Sequence, residues 1–104
     1  MKYFISATPG GGMPPTPEQF DAAIEWLDGK VEDGTFDCIF GFVEGGGFSV
    51  ANVDSHREAL ELMADYPLFG LVNWEVRPLL EFKDGVDTIR AKLAEAQAAM
   101  AGGA

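Results

Sequence analysis

Three polar residues alternate along one stretch of the chain: Asn73, Glu75 and Arg77, within Val72-Asn73-Trp74-Glu75-Val76-Arg77. A two-residue period sets them on one face of a strand and Val72, Trp74 and Val76 on the other. A carboxylate between an amide and a guanidinium can abstract a proton while its neighbours stabilise the negative charge that develops. Cover from a second subunit would raise such a carboxyl pKa toward the range useful to a general base. Glu75 is therefore a catalytic candidate, with Asn73 and Arg77 as substrate-binding candidates. The competing reading is an inter-strand or inter-subunit ion pair without catalysis. Asp37 is the second catalytic candidate. Alternation along Phe36-Asp37-Cys38-Ile39-Phe40-Gly41-Phe42 predicts Phe36, Cys38, Phe40 and Phe42 on one face and Asp37 on the other, with the polar row.

Other reactive residue types are sparse. His56 is the only histidine, which removes a catalytic triad or a multi-histidine metal site within one chain. It sits in the first turn of an expected helix, where exposure is the ordinary outcome. Cys38 is the only cysteine, with no nearby base to activate it; it reads as a small buried hydrophobe that can line a pocket. No metal ligand set and no cofactor-binding fingerprint is present. Gly10-Gly11-Gly12 follows a strand without the Lys-Ser/Thr of a phosphate loop, and Gly45-Gly46-Gly47 is turn chemistry. Eight Phe, two Trp and two Tyr supply enough apolar surface for a ligand pocket, or simply for a core. Tyr3 and Trp74 each add a polar handle, which makes them substrate-binding candidates beside Cys38.

Composition narrows the classes. At 104 residues, 47% hydrophobic, the chain reads as one globular domain. Seventeen acidic against seven dispersed basic residues give a formal charge of −10, which argues against nucleic acid and anionic membrane as partners. A lone cysteine suits a reducing compartment, and the apolar part of Met1–Ala7 is too short for a secretion signal. No apolar run has the length of a membrane span. The expected location is the cytoplasm.

The positioning elements follow from local signals. Lys2–Ala7 is a β-branched and aromatic strand. Thr16-Pro17-Glu18-Gln19 is a capping box with proline in the first turn, opening a helix that ends at Asp33-Gly34. Its apolar stripe is Phe20, Ile24, Leu27 and Val31, and its acidic stripe Asp21, Glu25, Asp28 and Glu32 reads as a solvated face. Trp26 lies on neither and is a subunit-contact candidate. Phe36–Val43 and Phe48–Val53 form a hairpin across the glycine turn. Ser55-His56-Arg57-Glu58 is a second capping box, and its helix carries Leu60, Met63 and Tyr66 inward until Pro67 stops it. Leu71–Leu80 is the last strand, with Pro78 suited to an edge. From Asp84, the residues Val86, Ile89, Leu93 and Met100 mark an alanine-rich helix that frays at Gly102-Gly103. The order β-α-β-β-α-β is the ferredoxin-like α+β fold, a four-stranded antiparallel sheet with helices on one face and an extra C-terminal helix. Residues 1–82 are the ferredoxin-like domain and 83–104 its terminal helix and tail. The second sheet face needs cover.

From Ser55 to Leu80 the chain resembles the muconolactone isomerase-like family. The likeness rests on Val53-Asp54-Ser55 before the helix, Pro67-Leu68-Phe69 at its end, and Glu75-Val76 followed by Pro78-Leu79. Asp33-Gly34-Thr35 fits the same pattern. The resemblance implies a protomer that pairs sheet to sheet as a dimeric α/β barrel, within a homodimer or larger homo-oligomer. It also implies a double-bond shift in a small lactone by proton transfer, without metal or organic cofactor. Glu25 stands where that family tends to carry an acid. The second strand departs from the family, which is rich there in Trp, Arg and His; Phe36–Gly41 is apolar with one acid, and this argues against muconolactone as the substrate.

The expectation is thus a cofactor-independent isomerase or cyclase acting by proton transfer on a small, largely apolar cyclic or polyketide-like molecule. The alternatives are a non-catalytic module for small-ligand binding or homo-oligomeric assembly, and a cofactor-free oxygenase of an aromatic substrate.

Overall fold

A computed structural model describes residues 1–102. Four strands, β1 (Lys2–Pro9), β2 (Phe36–Gly41), β3 (Gly47–Asn52) and β4 (Val72–Leu79), form one antiparallel sheet in the order β2-β3-β1-β4. Helices α1 (Pro17–Glu32) and α2 (His56–Asp65) cross one face, and α3 (Phe82–Gly102) follows β4. This is the ferredoxin-like α+β arrangement with a terminal helix. Asn52 and Val53 extend the hairpin's hydrogen bonding to Thr35 and to Met1, which ties the chain start to the sheet.

The caps form where the side-chain chemistry requires. Gln19 N–H donates to the Thr16 hydroxyl (3.2 Å) and Thr16 N–H to the Gln19 side-chain oxygen (2.9 Å), a complete capping box with Pro17 in the first turn. The second box is incomplete. Glu58 N–H donates to Ser55 Oγ, but the Glu58 carboxylate accepts from Asp54 N–H (2.8 Å), one residue earlier than a reciprocal box requires. Tyr66, extended before Pro67, ends α2, and a single 3-10 turn at Phe69–Leu71 leads into β4.

One irregularity changes which residues share a face. The β2–β3 register shifts between Phe36 and Cys38. Two residues of β2 there oppose one of β3, so the alternation restarts after the bulge. Phe36 faces the helices and is buried against Ala51. Cys38 and Phe40 turn to the open face, paired with Val50 and Phe48. The expected row of Phe36, Cys38, Phe40 and Phe42 on one face is therefore split. Phe40 and Phe42 instead join Phe4 around Phe48 on the open face, with ring centroids 5.3–5.8 Å from the Phe48 ring.

The core is small: Tyr3, Ile5, Phe36, Ala51, Val53, Ala59 and Leu62, with Trp26, Leu27, Met63 and Trp74 against it. The α1 stripe reads differently in three dimensions. Ala23 is the buried residue of α1, while Phe20, Ile24 and Val31 are exposed. Trp26, expected at a subunit contact, instead packs edge-on to Phe36 (5.8 Å) and Tyr66 (5.5 Å). Tyr66 meets Trp74, and Trp74 meets Phe69, so a run of aromatic contacts bridges α1, the end of α2 and β4.

Candidate functional site

Because α1 is held at Trp26 and Ala23, it stands off the sheet along its Phe20/Ile24 side. A cleft of about 700 Å³ opens there between α1, the sheet and the end of α2. Its walls are aromatic and aliphatic: Phe20, Trp26, Phe36, Tyr66, Trp74 and Leu68. Phe20, Ile24 and Ile39 are exposed lining residues that mark the mouth between α1 and β2, with exposed Met13 of the loop beside them. The loop Gly10–Pro15 closes one end. Gly10 N–H donates to the Leu71 carbonyl (3.1 Å), and a Cβ at Gly10 would come within 2.9 Å of that oxygen, so only glycine lets the loop lie so close.

The polar groups of the cleft are few. Ser49 is buried on β3 with its side chain on the helix face. Tyr66 is half-buried, and burial pushes its phenol above the ordinary value, which keeps it protonated and a hydrogen-bond donor. Trp74 Nε1–H donates to the Phe69 carbonyl (3.1 Å), so Trp74 serves as a wall with its polar handle already satisfied. Apolar walls with one or two hydroxyls suit a small, flat, weakly polar molecule whose oxygen can accept from Tyr66 or Ser49.

The residues singled out from sequence divide between two faces. Trp74 lines the cleft; Tyr3 does not. Tyr3 is buried under the start of α2, its hydroxyl paired with His56 Nδ1 and the two rings edge to face. Asn73, Glu75, Arg77, Asp37 and Cys38 lie on the open face. Glu75 and Arg77 pair with each other, Arg77 Nε–H donating to Glu75 Oε1 at 2.7 Å, and both are exposed. This is a same-strand pair, whereas the ion-pair reading expected one between strands or subunits. Asn73 borders a shallow hollow with Gly10 and Met13.

Asp37 is fixed at the far edge of the open face. The Lys2 ammonium and the Asn52 amide (2.6 Å) both donate to it, and these bonds hold its carboxyl below the usual carboxylate range. A lowered pKa makes Asp37 a weak base. Asp37 on β2 and Glu75 on β4 stand on opposite edge strands, about 14 Å apart by strand spacing, so they do not act on one atom within a protomer. Cys38 is half-buried beside Val50. Among the described residues no cluster of three His, Cys, Asp or Glu is placed to hold a metal ion. Nor, among the described residues, is any helix long and apolar enough to cross a membrane.

Ser49, Phe20 and Tyr66 are cleft residues that sequence reasoning did not select. The available signal was Ser49 alternating with Ala51 on the inward side of β3, a small polar residue where the core expects an apolar one.

Strand order, helix placement and the helix-side cleft together define a muconolactone isomerase-like fold. Muconolactone isomerase, solved at 3.3 Å resolution, superposes with a TM-score of 0.66 over 78% of this chain and 90% of that one, at 19% identity. The 5-chloro-2-hydroxyhydroquinone dehydrochlorinase of Burkholderia phenoliruptrix AC1100, solved with 2,5-dihydroxybenzoquinone, superposes with a TM-score of 0.62. It covers 81% of this chain and 98% of that one at 15% identity. No family model matches the chain, and no curated protein matches it in sequence.

Proposed function

We propose that the protein binds a small, largely apolar cyclic molecule in the helix-side cleft and rearranges it by proton transfer, as an isomerase or cyclase without an organic cofactor. The observation that carries this reading is the cleft itself: about 700 Å³, aromatic-walled, with Tyr66 and Ser49 as its hydroxyls. A neutral phenol in an apolar site stabilises an enolate-like oxygen as it gains charge. The two solved structures of the same fold are an isomerase and a dehydrochlorinase, named for a lactone and a hydroquinone, and this supports the class of chemistry. The apolar second strand favours a ring with fewer charges than muconolactone.

No carboxylate lines the cleft, and Glu75 projects from the other face of the sheet. In the cleft, therefore, Tyr66 and Ser49 bind and polarise the ring while water carries the proton. Glu75 serves as base only for a molecule held against the open face and enclosed there by a second subunit. Asp37 is the weaker candidate because of its lowered pKa. A homodimer paired sheet to sheet would supply that enclosure. The Phe4/Phe40/Phe42/Phe48 patch favours such pairing, since an aromatic cluster on an uncovered face marks an interaction surface. The same patch supports the second reading, a binding or assembly module using the same barrel without catalysis. The cytoplasm is the location proposed under either reading.

Titrating small lactones, hydroquinones and quinones against tryptophan fluorescence tests the binding step, since Trp26 and Trp74 both line the cleft. Turnover is followed by loss of the ring chromophore in wild type, Tyr66→Phe and Glu75→Gln. Quenching with turnover that falls at least tenfold in Tyr66→Phe upholds the cleft as the reaction site. Loss in Glu75→Gln at unchanged oligomer mass, with Tyr66→Phe unaffected, moves the reaction from the cleft to the open face. Quenching without turnover by any compound leaves the binding module standing and refutes the enzyme.

A further inference from the structure

The terminal helix finds no place on its own protomer. None of its described residues is buried, and Phe82, Ile89, Leu93 and Met100 are 85, 62, 66 and 79% exposed. With Val86 and Ala96 they recur at steps of four and three, the seam of a two-stranded coil. The charged positions beside that seam are all basic: Lys83, Arg90 and Lys92. Two such helices laid antiparallel on each other set Arg90 against Arg90 and Lys92 against Lys92, which works against self-pairing. The helix's three acids and three bases cancel, so the whole formal charge of −10 sits on residues 1–81.

Helix α1 presents the complement. Phe20, Ile24, Leu27 and Val31 repeat the four-three-four step, the first two and the last exposed and Leu27 half-buried against the core, and Asp21 and Asp28 stand beside that seam. Antiparallel alignment of α3 on α1 brings four layers into register: Phe20 with Leu93, Ile24 with Ile89, Leu27 with Val86, and Val31 with Phe82. The same register sets Asp21 beside Arg90 and Asp28 beside Lys83. On the other flank Lys30 meets Gly85 and Lys92 meets Ala23, so no like charges oppose. A parallel alignment would bring Lys30 to Lys83 or Arg90.

These two helices cannot meet within one chain. Helix α3 leaves β4 at one edge of the sheet, while α1 is anchored through Trp26 on Phe36 of β2, at the other edge. Three strand spacings, about 14 Å, separate the edges. The link of Leu80 and Glu81 spans only about 10 Å when fully extended, and α2 stands between. The exposed area points the same way. The protomer exposes 7510 Å², whereas a compact chain of this mass exposes about 5,700 Å². The surplus, about 1,800 Å², is the size of a stable interface.

We infer that α3 of one copy docks antiparallel along the exposed flank of α1 in a second copy, covering the cleft mouth at Phe20 and Ile24. In a twofold pair each copy gives one helix and receives one, so the contact forms twice. Leu93 and Ile89 then complete the apolar wall that the cleft lacks on that side. The inference rests on α1 and α3 alone and holds whether or not the cleft is catalytic.

The test begins with full-length chain carrying Cys38→Ser, so that no native thiol competes. Copies with Ile24→Cys are mixed with copies carrying Ile89→Cys and oxidised gently. A disulfide between the two kinds of copy is expected. Absence of that product overturns the inference, and so does an Ile89→Cys homodimer as the sole product. Sedimentation equilibrium supplies an independent arm. Lys83→Glu with Arg90→Glu weakens self-association at least tenfold, and mixing with an Asp21→Lys, Asp28→Lys chain restores the mass. Unchanged association in the first variant, or no recovery on mixing, refutes the docking. Phe48→Asp, on the open sheet face, leaves the 24–89 disulfide intact, which separates this contact from sheet pairing. Far-UV circular dichroism confirms that each variant is folded.

Discussion

Replacing Trp26 by alanine should cost this protein more than any other single change in α1. The helix buries only Ala23 outright, and its Phe20, Ile24 and Val31 contribute little to the protomer's own core. Trp26 meets Phe36 at 5.8 Å and Tyr66 at 5.5 Å, both edge-on, and Lys30 lies over its ring at 5.4 Å. Truncating a buried Trp costs about 3–5 kcal/mol, and half-burial here puts the packing loss at the lower end. The lost ring pairs are worth about 0.5–1.5 kcal/mol each when measured beyond their area. A total of about 3 kcal/mol follows, against about 5–15 kcal/mol for a typical domain. Urea unfolding by circular dichroism is the assay, in the Lys83→Glu, Arg90→Glu background, so that assembly does not contribute. At about 4–8 °C per kcal/mol, the melting temperature should also fall by about 12–24 °C. A loss below about 1 kcal/mol would show that the exposed stripe, and not Trp26, holds α1 to the sheet.

Three further outcomes are expected. Asp37 is stabilised as the carboxylate, so the stability it adds is present above its unfolded pKa and is lost as pH falls through its lowered folded pKa. Asp37→Asn should therefore lower the urea midpoint at pH 6 and match wild type under strongly acid conditions; a pH-independent difference would contradict the assignment. Tyr66 has the opposite dependence: its raised pKa favours the folded state at neutral pH, and that contribution is lost as pH rises through the folded value. Spectrophotometric titration should show a late tyrosinate step that Tyr66→Phe removes, and its persistence in the variant would refute this. Gly46 has φ +76°, and a Cβ there would run into the Ala7 carbonyl, so Gly46→Ala should cost at least about 2 kcal/mol in the same urea assay, through strain and clash together.

The sheet and its order were legible because each strand is short, alternating and bounded by turn residues, and because the Thr16 cap and Pro67 stop leave little freedom in helix limits. Alternation along β4 also put Asn73, Glu75 and Arg77 on the face away from Trp74. The bulge at Asp37 was not legible: an extra residue leaves no compositional mark, yet it turns Cys38 and Phe40 to the other side. Nor was the role of Trp26. A helical stripe identifies which residues are apolar together, and in the best-spaced stripe of α1 only Leu27 packs on the core while Phe20, Ile24 and Val31 are exposed. The cleft depends on how far α1 stands from the sheet, a property of the aromatic contacts at its far side that local spacing does not encode.

The bulge in β2 has a consequence beyond the faces it assigns. β2 is an outer strand, and without the extra residue Phe36-Asp37-Cys38-Ile39-Phe40 would be a straight, largely apolar ribbon of unpaired amides. Such an edge is a template for adding strands from other molecules, the first step toward fibres. The register shift bends the edge, and the Asp37 carboxylate held by Lys2 and Asn52 places charge along it. At the other edge Pro78 withholds an amide, and the Glu75–Arg77 pair lines the strand with charge. Both borders of the sheet are thus unsuited to indefinite extension, and what remains for association is its faces and its projecting helix.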